Sequence, residues 1–174
     1  MLRFLGLGKS DGGREREPAS LAEISAQLEA LPPEEARFVS AFSYLLARVA
    51  AVDLSTDGVE RDAMRKRLED FAGVDATRAA LLSEAAIRAA ETYSASDGHL
   101  VARAFRDMSE EPERIRLLRC LYAVAAADEN ISAVEDNDIF EVARAIGVRQ
   151  SDVVAVRSEF KNQLGSMKAL PSEN

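Results

Sequence analysis

The sequence predicts an all-α protein, a single domain of about seven or eight helices. Of its 174 residues, 47% are hydrophobic, mostly Ala, Leu, Val and Ile, and 30% are charged, a balance that favours helices. Apolar residues recur at three- and four-residue spacing, and no segment alternates with period two, so no sheet is expected. The length suits one domain, since a chain of about 150 residues buries roughly 70% of the surface that its unfolded form exposes.

Four helices are predicted in the first half of the chain. Ser20 and Glu23 have the spacing of a capping box that opens the first helix, and Pro33 lies in the first turn of the second. Gly73 closes the third helix, and Thr77 is predicted to cap the fourth. The approximate ranges are 20–31, 33–53, 58–71 and 77–92.

Four further helices are predicted in the second half. A polar break at residues 94–98 precedes a short fifth helix, and Pro112 opens the sixth in its first turn. Gly147 ends the seventh, and Ser151 is predicted to cap the eighth. The fifth helix carries apolar residues from Leu100 to Phe105, the sixth and seventh cover about 112–128 and 133–146, and the eighth begins at Ser151 and carries apolar residues as far as Leu164.

The chain ends are predicted to lie outside this domain. Residues 1–18 contain four glycines and one proline and are predicted to form a flexible N-terminal tail. Its apolar start, residues 1–7, is an alternative contact for a membrane or a partner, although so short a segment would bind a bilayer weakly. The helical domain is therefore placed at residues 19–168, followed by a C-terminal tail at 169–174.

The sequence contains an internal repeat. A shift of 75 residues places Val49–Asp53 on Val124–Asp128, and six of the twelve positions from 49 to 60 are then identical. After one deletion the register sets Gly73 on Gly147 and Thr77 on Ser151. The repeated unit is a helix, an acidic loop, a second helix and a following capped helix.

This pattern, Ala-Ala-x-Asp at a helix end, then a short polar turn and a Glu, present twice in a helical chain, resembles the TerB-like proteins of the tellurite-resistance group. The resemblance covers about residues 35–165. It implies a helical fold with approximate two-fold internal character, a cation-binding role for the acidic residues, and a link to membrane-associated metal-stress systems. The acidic positions that it marks are Asp53 and Glu60 in the first copy, and Asp128 and Glu135 in the second.

The two loops are the candidate metal sites, with Asp53, Asp57, Glu60, Asp128 and Glu135 as candidate ligands. Oxygen-bearing side chains stand at positions 1, 3 and 5 of the first loop, with Gly at position 6, as in a calcium-binding EF-hand. The bidentate Glu that closes an EF-hand at position 12 is missing, because Met64 stands there. The second loop has Ser132-Ala133 in place of Asp57-Gly58, so it is predicted to be a weaker site or none.

A purely structural interpretation remains open for the same residues. Asp57 with Glu60 and Ser132 with Glu135 both have the spacing of a capping box, which contributes about 1 kcal/mol and requires no ligand. Asp53 and Asp128 stand at helix C-terminal ends, where the helix dipole disfavours a carboxylate. A bound cation, an Arg partner or a hydrogen bond to the next helix would each offset that cost.

Charge and residue content exclude several functional classes. The net charge of −8 repels phosphate, so no nucleic-acid partner is expected, and a protein partner, with a membrane-associated one as an option, fits better. One His and one Cys, with no glycine-rich strand-to-helix turn, supply no catalytic residues and no site for an organic cofactor. We therefore expect a non-enzymatic protein that is cytoplasmic, with a peripheral position at the inner membrane as the alternative, and no transmembrane segment. The choice left open is between a stress-response protein that binds a divalent cation such as calcium and a metal-free adaptor.

Deleting residues 1–18 should leave the melting temperature nearly unchanged, because terminal tails contribute few buried contacts. Thermal unfolding of the deleted and full-length chains checks this. A fall of several degrees would show that Leu2, Phe4 and Leu5 pack against the domain.

Overall fold

The all-α prediction is confirmed by a computed structural model, which describes residues 19–28, 31–50, 58–72, 74–93 and 95–165. Within these ranges the chain forms eight α-helices and one 3-10 turn, and no strand beyond a single bridge between Ile131 and Leu164. The elements are α1 (Ala19–Ser25), the 3-10 turn (Ala26–Leu28), α2 (Pro33–Ala50), α3 (Gly58–Ala72), α4 (Ala76–Thr92), α5 (Ala95–Met108), α6 (Glu111–Ala125), α7 (Ala133–Ala145) and α8 (Gln150–Glu159). The predicted tails at 1–18 and 169–174, and the boundary at 168, lie outside the described residues and stay predictions.

Helix α2 lies at the centre of the domain. All residues from Val39 to Ala47 are buried, and the helix contacts α1 and each of the helices from α3 to α7. A helix that is apolar on every face must be enclosed by other elements. Its two buried serines are satisfied within the helix, since Ser40 Oγ donates to the Ala36 carbonyl at 2.6 Å and Ser43 Oγ to the Val39 carbonyl at 2.7 Å.

Two predicted helix starts in the first half are wrong. Ser20 does not cap α1 but lies inside it, fully buried, and its hydroxyl donates to Asp97 Oδ2 on α5. Asp75, not Thr77, caps α4, because its Oδ1 accepts the Arg78 amide at 2.9 Å. That hydrogen bond lowers the pKa of Asp75, since only the ionised carboxylate gains it fully.

The predicted break at residues 94–98 is wrong for residues 95–98, which form the first turn of α5; Ser94 lies outside the described residues. Helix α5 is longer than expected and ends at Met108. Asp97 is favourable there, because a carboxylate near a helix N-terminus interacts well with the helix dipole.

The second half follows the predicted order of elements, with changes at the ends. The predicted Pro112 opening of α6 is confirmed, as is the predicted Gly147 stop after α7, where Gly147 has φ +77°. Helix α6 ends at Ala125 and α8 at Glu159, so both are shorter than predicted. Arg149, not Ser151, is the N-cap of α8, and its side chain pairs with Asp152 at 2.9 Å instead of capping the helix.

An ion pair connects the end of α2 to α7 across α5. Arg48 Nη2 donates to Asp138 Oδ1 at 3.2 Å, and both side chains are about four-fifths buried, with 22% and 18% exposed. The guanidinium passes directly over Gly98, where an added β-carbon would lie 2.0 Å from Arg48 Nη1. The missing side chain at position 98 therefore makes room for the pair.

Gly98→Ala should lower the melting temperature, because the new methyl displaces Arg48 and leaves a mostly buried Asp138 without its cation. Leaving a buried polar group unpaired costs about 1–3 kcal/mol. A gain of roughly 0.4–1 kcal/mol from lost unfolded-state entropy offsets part of it. We expect a net fall of a few degrees in thermal unfolding.

Gly58→Ala is the matched control, since nothing lies within 4 Å of a β-carbon there and only the entropic gain applies. The cost of Gly98→Ala should also vanish in an Arg48→Met background. Equal effects of the two glycine substitutions would contradict the steric account.

Candidate cation site at the inter-helix loops

The loop between α6 and α7 is a hydrogen-bonded turn. The Ala127 amide donates to the Val124 carbonyl at 3.0 Å and the Glu129 amide to the Ala126 carbonyl at 3.0 Å. Asp128 is exposed, and its Oδ1 accepts the Asn130 amide at 2.9 Å. Glu129 adopts φ 66°, a left-handed conformation that is uncommon for a residue with a β-carbon. Asp128 therefore stabilises the turn that follows the helix end.

Glu135 completes the cap of α7. Its Oε2 accepts the Ser132 amide at 2.8 Å, and the Ser132 hydroxyl accepts the Glu135 amide at 3.2 Å. The side chain is buried, with 4% of the residue exposed. The capping box predicted from the spacing of these two residues is confirmed.

The first loop is only partly described. Asp53 and Asp57 lie outside the described residues, so their predicted role as ligands stays a prediction. Glu60 lies in the first turn of α3 and is 9% exposed. It has the same position in the repeat as Glu135, since α3 and α7 begin 75 residues apart, at Gly58 and Ala133.

The described residues do not form a complete metal site. Among them, no three His, Cys, Asp or Glu side chains are placed so that they could hold one ion. In the second copy, Asp128 and Glu135 each make a separate local hydrogen bond. The second loop uses its carboxylates to hold the turn and the helix start. The predicted inequality of the two loops stays a prediction, because residues 51–57 of the first loop lie outside the described residues.

Catalytic chemistry gains no support from the remaining reactive side chains. His99 is exposed on α5. Cys120 is half-buried, and burial raises the pKa of its thiol, although Arg67 and Arg116 nearby act in the opposite direction. A thiol with a raised pKa is a poor nucleophile and a poor metal ligand at neutral pH.

A polar cluster next to the second loop was not predicted from the sequence. Tyr122 on α6 is fully buried, and its hydroxyl donates to Asp136 Oδ1 at 3.0 Å. Arg157 on α8 donates hydrogen bonds from Nε and Nη2 to the same carboxylate, at 2.7–3.0 Å. Phe160 stacks on the Tyr122 ring, with centroids 5.5 Å apart. The cluster joins α6, α7 and α8 beneath the loop, and no regular spacing in the sequence connects its members.

The similarity of the chain to a known protein family identifies its relatives. A family model described as tellurite resistance protein TerB matches residues 39–158. The chain belongs to the TerB family. The match spans α2 to α8 and includes both inter-helix loops, which confirms the resemblance seen in the sequence. No curated protein and no solved structure matches it significantly.

The prediction of no transmembrane segment can be checked on the helices of this TerB-family chain. Within the portion of the chain that the structure describes, no helix is both long enough and apolar enough to cross a bilayer.

The two buried tyrosines, Tyr44 and Tyr122, should ionise late, and stability should fall as they do. The pKa of Tyr93 is raised as well, because its hydroxyl donates to Glu23. Burial, with Asp97 adding to it and Arg48 opposing, raises the pKa of Tyr44 from 10.0 to about 12. Burial, together with Asp136, raises the pKa of Tyr122 further. Both folded-state pKa values exceed the unfolded value of about 10, so the folded protein retains the neutral phenols at a pH where the unfolded chain ionises. The free energy of unfolding is therefore unaffected by these groups below pH 10 and falls as the pH rises towards 12.

The melting temperature measured at increasing alkaline pH checks this, alongside the ultraviolet absorbance of tyrosinate. The chain has three tyrosines and no tryptophan, so the signal is simple to assign. Tyr44→Phe and Tyr122→Phe should each remove one late-ionising group. Ionisation of every tyrosine near pH 10 would contradict the burial account.

Proposed function

We propose that this TerB-family chain is a non-enzymatic stress-response protein of the tellurite-resistance type that binds a hard divalent cation through its first inter-helix loop. Asp53, Asp57 and Glu60 are the proposed ligands, and calcium is the model cation. The observation that carries the proposal is the burial of Glu60, 9% exposed, in the turn of α3 that directly follows the acidic loop.

Burial of a carboxylate is costly unless charge or hydrogen bonds compensate it. The N-terminus of α3 favours a carboxylate through its dipole. A cation between Glu60 and the two aspartates of the loop would favour the ionised carboxylate as well, and carboxylate oxygens are the ligands that Ca²⁺ prefers. The acidic order of the loop, Asp53-Leu54-Ser55-Thr56-Asp57, supports this arrangement.

The second loop is proposed as a weaker site or none. Asp128 and Glu135 already accept backbone amides within their own turn and cap, at 2.9 and 2.8 Å. A cation there would have to compete with these hydrogen bonds.

A metal-free adaptor is the second candidate function, and one observation favours it. Val59 and Val134 are equivalent in the repeat, lie in the first turns of α3 and α7, and are 51% and 59% exposed. An exposed apolar residue beside each acidic loop suits a protein partner with apolar and basic groups. In either case the proposed setting is the cytoplasm, with a membrane-associated partner as an option, because the chain has a single cysteine and a net charge of −8.

Saturating calcium should raise the melting temperature by about 5–10 °C. A ligand at about 100 times its dissociation constant adds about 2.7 kcal/mol of stability. For a domain of this size each kcal/mol shifts the midpoint by roughly 2–4 °C. Asp53→Asn should abolish the gain, while the cation-free variant is as stable as the parent or more so, because crowded carboxylates repel one another.

Asp128→Asn is the matched control: it makes the same change at the equivalent position and should leave the calcium response largely intact. Differential scanning fluorimetry with calcium, magnesium, manganese and zinc provides the measurement. If no cation moves the midpoint by more than about a degree at millimolar concentration, cation binding is wrong and the adaptor function stands.

A further inference from the structure

The chain that follows α8 turns back and lies along the second loop. The Phe160 amide donates to the Arg157 carbonyl at 3.1 Å, and the Gln163 amide to the Phe160 carbonyl at 3.0 Å, which reverses the chain after the helix. The Ile131 amide then donates to the Gln163 carbonyl at 2.7 Å, and the Gly165 amide to the Ile131 carbonyl at 2.9 Å. Both backbone polar groups of Ile131 are thus paired with residues 163–165 in a parallel bridge.

The contact is buried and close. Ile131 and Leu164 are each 1% exposed, so the bridge carries two apolar side chains into the core. A β-carbon at Gly165 would lie 3.2 Å from both Asn130 Oδ1 and the Ile131 carbonyl oxygen. Residues 163–165 therefore lie against Asn130 and Ile131, directly after Glu129. Glu129 has a left-handed backbone, which persists only when its surroundings hold it in place.

Helix α8 is attached to the domain by other contacts. Arg157 pairs with Asp136, and Val153 and Val156 are buried. Phe160 stacks on Tyr122 before the chain reverses. None of these contacts involves residues 163–165.

We propose that residues 163–165 form a strap that fixes the second acidic loop in its turn, and that the strap and loop open together as one local unit while α7 and α8 stay folded. The strap couples the C-terminal end of the domain to the loop, so that displacement of one releases the other. This inference does not depend on cation binding by the first loop.

Amide hydrogen exchange of the full-length chain, followed residue by residue by NMR, tests the strap. In the parent protein the Ile131 and Gly165 amides should share one protection factor, lower than that of the Ile146 amide, which bonds to the Val142 carbonyl at the end of α7. Gly165→Val should speed exchange at Ile131 by about tenfold or more, since overpacking at this contact favours the open form. The Ile146 amide should be unaffected.

Gly165→Ala adds a smaller side chain and is the second variant if Gly165→Val folds poorly. It should also speed hydrogen exchange at the Ile131 amide, by a smaller factor. Gly58→Ala is its matched control, because the change is chemically the same and its β-carbon meets nothing within 4 Å. The control should leave exchange at Ile131 unchanged. The proposal of a local strap is contradicted if the Ile131 amide keeps its protection in both Gly165 variants, or if the Ile131 and Ile146 amides lose protection by the same factor.

Discussion

The enclosure of helix α2 is the constraint on which the rest of the fold depends. A helix whose residues 39–47 are all buried exposes no stable face to water, so neighbouring helices must surround it. Arg48 is the one charged residue between Val39 and Ala50, and it remains tolerable because Asp138 on α7 reaches it. The central helix thereby fixes the position of α5, which must pass Arg48 with a glycine, and of α7, which must present the carboxylate.

The two copies of the repeat begin their helices at equivalent positions. Helices α3 and α7 begin at equivalent positions, and the N-caps of α4 and α8, Asp75 and Arg149, keep the same register after one deletion. In the second copy the cap is satisfied internally and residues 163–165 lie along the loop. The repeated register therefore coincides with the helix starts, and in the second copy the carboxylates of Asp128 and Glu135 accept amides of their own turn and cap.

Much of the fold was predictable because it rests on local chemistry. The spacing of apolar residues, Pro112 at the start of α6, the Ser132–Glu135 box and Gly147 are signals within a few residues of the feature that they specify. The prediction failed where neighbouring residues compete: Asp75 and Thr77 are both good caps, and it is Asp75 that accepts the Arg78 amide. The Tyr122–Asp136–Arg157 cluster could not be predicted from spacing, because its members meet only when α6, α7 and α8 pack. Of the candidate ligands, the role of Glu135 as a cap was readable from sequence, whereas the burial of Glu60 required the fold.

The position of Arg48 over Gly98 also limits which substitutions the sequence can tolerate. While an arginine occupies position 48, every side chain at position 98 must push the guanidinium aside. A shorter residue at position 48 removes that obstacle but leaves Asp138 without its counter-ion. The three positions are thus physically coupled: a neutral residue at 138 would remove the need for a cation at 48, and a shorter residue at 48 would leave room for a side chain at 98.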